Sequence, residues 1–321
     1  MGKIDSQSKM YFSDSKRFAD IFNFWIYNGE SVIHPDELRE KDPTEIALPG
    51  NNAKNSIQKI RDLLKFYTVM QDDKALYLLL GLEIESKTHY AMPARNMLYD
   101  AMNYARQMET IAKSHNNDKE SKPTSDEFIS GFWKDDHLMP VITLVVNISG
   151  KPWDGARSLH DMFVVKDPAL LKFVPNYSMN LLSPDQIEEG DFGRFKTGIG
   201  ALLQFIKHKD DKNMDWIREN KRFERVDRQT ADLIQTVTGT KMDLNPNEEV
   251  VDMCMAWENS MNEARNEGLK EGKKEGKREG VNEEKIETAK RLLAKNAPLE
   301  IIQDATELTL DQIKKLTLCA E

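Results

Sequence analysis

Two cysteines in 321 residues, Cys254 and Cys319, are too few for a disulfide framework. Such sparse usage fits a reducing compartment, and the cytoplasm is the expected location. No apolar run approaches the roughly 20 residues that a membrane helix needs. The longest, Ala75–Leu82 and Met139–Ile148, are strand-sized, so no membrane partner is expected. The opening MGKIDSQSKMYF lacks the layout of a signal peptide. Neither GxGxxG nor a Walker A loop occurs, so no nucleotide cofactor is expected. The six histidines show no HxxxH or HExxH spacing, and the cysteines are too isolated for a zinc motif. Positive charge is also short: 45 Lys and Arg stand against 54 Asp and Glu, a net charge of −9. That balance opposes strong nonspecific DNA binding by the whole chain and leaves room for a local basic surface.

What remains is a chain rich in charge, with an apolar share of 39% that suffices for a core. Phe12–Tyr27 reads as a helix, with Phe18, Ile21, Phe22 and Trp25 in one apolar stripe, Ser13 as N-cap and Asn28-Gly29 as the stop. Residues 34–56 hold Pro35, Pro43 and Pro49 and read as irregular connection. Asp62–Met70 and Ala75–Ser86 read as strands joined by a hairpin turn at Gln71–Lys74. Both are apolar on both faces in their middles, as in a sheet covered by helices on each side. A second helix runs from Pro93 to Ile111, with Leu98, Ala101, Met102, Ala105 and Met108 as its buried stripe. Ser114–Glu127 reads as a loop and Met139–Ser149 as a third strand. The order is that of a mixed α/β domain. Beyond it lie loops and short helices over 165–255, with helices at Gly198–Lys209 and Met214–Thr238.

The tail differs in character. Glycines 268, 272, 276 and 280 recur every fourth residue among charges. At about 1 kcal/mol each, they cost a helix roughly 4 kcal/mol. The stretch suits either a solvated helical linker or a contact between copies of the chain. Glu284–Glu321 carries three short helical patterns, with Thr309 and Gln312 as a capping box. They suit a helix-turn-helix-like unit or an interaction tail. The expected domains are therefore 1–255, a charged linker over 256–283, and a helical tail over 284–321.

Chemistry concentrates at Leu82-Glu83-Ile84-Glu85-Ser86. Alternation along a strand puts Glu83 and Glu85 on one face. A turn centred between Asp72 and Asp73 sets Asp62 directly opposite Glu83, with Cβ atoms roughly 5 Å apart. Three carboxylates there suit Mg²⁺ or Mn²⁺, and a register slip of one residue would scatter them. Plain solvation at strand ends is the alternative. Lys87 shares the face if the strand continues. Arg95 and Tyr99, four apart on the second helix, point together and suit a phosphodiester or a simple surface pair.

Three stretches then carry a resemblance: RDLLKFYTVMQDDKALYLLLGLEIES, HYAMPARNMLYDAMNYARQ and LMPVITLVVNISGKPWDGARSLHDMF. Together with the Gly-every-fourth tail and AKRLLAKNAPLEIIQDATELTLDQIKKL, they resemble the recombination-promoting nuclease family, also called putative transposases, of the PD-(D/E)XK nuclease superfamily. The resemblance covers most of the chain and is least secure over 165–255. It implies a restriction-endonuclease-like core, a mixed central sheet flanked by helices, followed by an α-helical C-terminal extension. It also implies metal-dependent DNA hydrolysis linked to recombination or mobile elements, with DNA as partner; the glycine spacing of the tail separately makes the C-terminal helical region a candidate contact in a homo-oligomer. Asp62 and Glu83 take the family's metal-ligand positions, joined by the Ile84 carbonyl. Where the family has Gln and the superfamily Lys, this chain has Glu85, which suits a ligand or a general base, with Lys87 as a displaced substitute. Arg95 and Tyr99 would orient the backbone, and Asp20 on the first helix is a further candidate acid. The departure at Glu85 also keeps open a catalytically weakened, nuclease-fold module that binds DNA or assembles with partners.

Overall fold

A computed structural model describes residues 2–40, 44–46, 58–60, 62–71, 74–117, 122–211, 215–245 and 247–318. The chain forms two compact units, Met1–Met255 and Ala256–Glu321.

The first unit opens with two helices, α1 (Lys3–Ser13) and α2 (Ser15–Tyr27). The single helix expected from Phe12 is thus longer and broken. Asp14 breaks it because its carboxylate accepts from the N–H groups of Lys16 and Arg17, at 3.1 and 3.0 Å, and caps a new helix. The cap is Asp14, not Ser13. Phe18, Ile21 and Phe22 are fully buried as the stripe requires, whereas Trp25 is exposed. Asn28 and Gly29 end α2 with positive φ, a conformation those two residues tolerate best.

Next come β1 (Leu38–Glu40) and β2 (Thr44–Ile46), where irregular chain was expected, and then β3 (Gln58–Ile60). Strands of three residues are too short to show alternation. Pro43 and Pro49 lie outside the described residues. The strands β4 (Leu63–Gln71) and β5 (Lys74–Glu85) pair antiparallel from Leu63 opposite Leu82 to Gln71 opposite Lys74. The Asp72-Asp73 turn lies outside the described residues, but the ladder flanking it has the register that turn demands.

A long helix, α3 (Met92–Asn117), crosses to β6 (Val141–Asn147), which lies parallel to β5. Between them sits α4 (Ser125–Ser130), so the expected loop over Ser114–Glu127 is helical at both ends. After α5 (Pro168–Leu171), β7 (Asn180–Leu182) adds parallel to β6. The sheet order is β1-β4-β5-β6-β7, with β4 antiparallel to both neighbours and β5, β6 and β7 mutually parallel. Leu79, Leu80 and Leu82 of β5 and Leu144, Val145 and Val146 of β6 are inaccessible to solvent. Charged side chains interrupt this interior. Lys65 on β4 is buried, and its ammonium donates to the Ser13 carbonyl at 2.6 Å and the Ser15 hydroxyl at 3.0 Å. The break at Asp14 supplies those acceptors.

The buried face of α3 reverses the expectation. Leu98, Ala101 and Met108 are exposed, while Asn96, Tyr99, Asp100, Asn103 and Gln107 are buried. Apolar periodicity misleads because several of the polar groups have specific partners. Asp100 accepts from Thr143 Oγ1 and from Tyr177 Oη, both at 2.6 Å. The Gln107 amide grips the Met139 backbone at its N–H and its carbonyl.

The unit continues with α6 (Ile199–His208), close to the expected helix. In place of one helix to Thr238 come α7 (Asp215–Glu219), β8 (Val226–Asp227) and α8 (Arg228–Thr238), with Asp227 capping α8. Met214 lies outside the described residues. The strand β9 (Val250–Val251) pairs with β8.

The last helix to begin in the first unit, α9 (Met253–Leu293), supplies much of the second. Its residues 265–284 are exposed, and a Cβ at Gly268, Gly272, Gly276 or Gly280 would touch nothing. The end of α9 packs with α10 (Leu299–Thr306) and α11 (Leu310–Leu318) around Ala289, Ile302, Leu308 and Ile313. Thr309 and Gln312 form the expected capping box. Cys319 lies outside the described residues.

Candidate functional site

Strand alternation carries Glu83 and Glu85 to one face at the end of β5, and α3 brings Arg95 against them. Glu83 is wholly buried. Arg95 Nη2 stands 3.0 Å from Glu83 Oε2, and Nη1 donates to Glu85 Oε1 at 3.2 Å. Its Nε donates to the Tyr99 hydroxyl at 2.9 Å. The guanidinium therefore bridges both carboxylates and is held from behind by a residue one helical turn along. Such a fork suits a planar guanidinium better than an ammonium.

Asp62 sits one step before β4. Its Oδ2 accepts the backbone N–H of Ile84 at 2.9 Å, which ties it to the segment between the two glutamates. The register thus brings Asp62, Glu83 and Glu85 to one strand end, with the Asp62 oxygen turned to the Ile84 N–H and the glutamate oxygens to Arg95. Among the described residues, no three His, Cys, Asp or Glu side chains converge closely enough to hold a metal ion. The donor chemistry fits a hard divalent cation, because every side-chain donor is a carboxylate oxygen. The arrangement would have to change for one to bind, since Arg95 engages the same oxygens.

The electrostatics follow from this crowding. Burial raises the Glu85 pKa to about 7; Arg95 opposes the rise, and Asp62 and Asp5 add to it. For Arg95, burial pulls downward, but Glu83, Tyr99 and Glu85 outweigh it and hold its pKa above the ordinary arginine value.

Two sequence candidates lie elsewhere. Lys87 is exposed beyond β5, which ends at Glu85, so the alternation that would put it on the glutamate face stops first. The Asp20 carboxylate is buried and accepts from the N–H groups of Lys196 and Thr197 and from Thr197 Oγ1. It organises the approach to α6 rather than the glutamate pair. One neighbour went unforeseen. Asp5, in the first turn of α1, accepts from Ser86 Oγ at 3.0 Å and adds negative charge beside Glu85. No sequence signal links residues 81 apart that meet only in the fold.

Compared with family models, with curated proteins and with solved structures, the chain matches none. Among the described residues, no helix is long and apolar enough to cross a membrane.

Proposed function

We propose that the chain is a divalent-metal-dependent DNA endonuclease of PD-(D/E)XK type, serving recombination or mobile elements. The observation that carries this reading is that Asp62, Glu83 and Glu85 lie at one end of the β4–β5 hairpin, with Arg95 of the adjoining helix bridging the two glutamates and held by Tyr99. The sheet supports it too: an antiparallel hairpin followed by a parallel strand through a helical crossover is a mixed sheet of the kind the resemblance implies.

In this reading Asp62 and Glu83 would hold Mg²⁺ or Mn²⁺, which when bound supplies Lewis acidity and charge stabilisation at the phosphate. Glu85, titrating near neutral pH, takes a proton from the attacking water. Arg95 and Tyr99 hold the phosphodiester oxygens and fix the backbone for attack. Glu83→Ala should abolish Mg²⁺-dependent nicking of supercoiled plasmid. Undiminished nicking by that variant would remove Glu83, and with it this site, from the reaction.

A second reading, a noncatalytic nuclease-fold module that binds DNA or assembles with partners, is favoured by one observation. Arg95 already pairs with both glutamates. Thermal melting separates the two readings, since a ligand that prefers the folded state raises Tm. Millimolar Mn²⁺ raises it for a nuclease and leaves it unmoved for a module.

A further inference from the structure

We propose that Arg95 is an exchangeable countercharge: it holds Glu83 and Glu85 together until a divalent ion loads, then gives way and, still tethered to Tyr99, binds a DNA phosphate. This rests on the nuclease reading above and concerns how that site is regulated.

The geometry argues for exchange rather than coexistence. Arg95 Nη2 and Nη1 reach oxygens of Glu83 and Glu85, at 3.0 and 3.2 Å. An ion liganded by Glu83 would face the guanidinium across a single carboxylate, and like charges at that distance repel strongly in a partly buried site. Glu83, wholly buried, needs a cation beside it in either state. Arg95 is the member free to move: its side chain keeps 27% of its surface exposed, while Glu83 keeps none.

The tether gives the displaced group a destination. Tyr99 holds Nε at 2.9 Å, leaving both terminal nitrogens to swing outward together. That pair is the fork that grips a phosphate in bidentate fashion. An anion that captures the released fork removes the ion's competitor. DNA therefore tightens metal binding, and by linkage the metal tightens DNA. Without DNA, Arg95 holds metal affinity down without abolishing it, so full hydrolytic competence waits on substrate.

The test is calorimetric titration of Mn²⁺ into full-length wild type, Arg95→Gln, Arg95→Lys and Lys87→Gln. Each is measured alone and with a short phosphorothioate duplex that resists cleavage. Arg95→Gln should bind Mn²⁺ about tenfold more tightly than wild type without DNA. The duplex should tighten Mn²⁺ binding in wild type and have no such effect in Arg95→Gln. Lys87→Gln, which removes an exposed charge nearby, should shift Mn²⁺ affinity less than twofold; equal tightening there would reduce the effect to general electrostatics and overturn exchange. If wild type and Arg95→Gln bind Mn²⁺ alike while wild type nicks plasmid, exchange fails and the nuclease reading stands. If no variant binds Mn²⁺ with or without duplex, both fail. Should Arg95→Gln not fold, Arg95→Lys carries the test, keeping the charge without the fork. Looser Mn²⁺ coupling to DNA in that variant supports exchange, and unchanged coupling overturns it.

Discussion

Asp62 accepts a hydrogen bond from the backbone N–H of Ile84 at 2.9 Å, across a separation of 22 residues. The bond extends the β4–β5 register one step past its last pair, Leu63 opposite Leu82, and ties a carboxylate to the backbone between Glu83 and Glu85. Asp62→Asn keeps the acceptor and should lose little stability. Asp62→Ala leaves the Ile84 N–H without that acceptor and should cost about 1–3 kcal/mol in urea unfolding. Both should lose metal-dependent nicking, because neither retains the charge.

Glu85 makes the reaction pH-dependent. Its carboxyl must be ionised to act as base, so nicking should rise with pH through about 7 and then level off. Stability runs the other way. A carboxyl raised above its ordinary value binds more protons folded than unfolded between that value and its folded pKa. Its contribution is therefore present below about 4.5 and is lost as pH rises to about 7. Glu85→Gln should flatten that part of the stability profile and remove the rise in rate. A wild-type rate independent of pH from 5 to 9 would exclude Glu85 as the base.

Asp20 is a structural acid. Three donors from Lys196 and Thr197 converge on its buried carboxylate. Asp20→Ala should lower stability by about 2–4 kcal/mol, seen as a fall in Tm. The folded fraction should nick plasmid at the wild-type rate.

Two buried polar residues of α3 should behave oppositely. Asp100 accepts from Thr143 and Tyr177, so Asp100→Ala removes both of these buried hydrogen bonds and should cost about 3 kcal/mol. Asn96 is fully buried, and its amide atoms have no hydrogen-bond partner among the described residues. Asn96→Ala removes an unsatisfied group and improves helix propensity, so chemical denaturation should show a change within about 1 kcal/mol.

Gly272 and Gly276 lie on an exposed stretch of α9 where an added Cβ meets nothing. Replacing both by Ala should raise helical circular dichroism, with a gain of about 1 kcal/mol per site in the local helix.

The hairpin was legible because its two strands form long apolar runs and a turn centred between Asp72 and Asp73 implies one register, which the described pairs match. Once that register holds, the positions of Asp62, Glu83 and Glu85 follow by counting. The helix break at Asp14 was less legible, since the apolar stripe of α2 continues the pattern of α1 and only the Asp14 cap divides them. The three-residue strands β1, β2 and β3 carry too few positions for a period to show. For α3, periodicity pointed to the wrong face. Leu98 and Met108 look like core residues in sequence, and only the placement of Thr143, Tyr177 and the Met139 backbone turns Asp100 and Gln107 inward.

By itself, then, the amino-acid sequence determined the three long strands, the hairpin register of the first two and the strand end where acidic groups gather, because those depend on apolar runs and turn chemistry among near neighbours. The tertiary structure decided what those groups touch: Arg95 on both glutamates, Asp62 on the Ile84 N–H, Asp20 on a distant loop, and Lys87 in solvent. Such contacts join residues far apart in the chain, and their partners are chosen by how helices dock on the sheet, which no local pattern encodes.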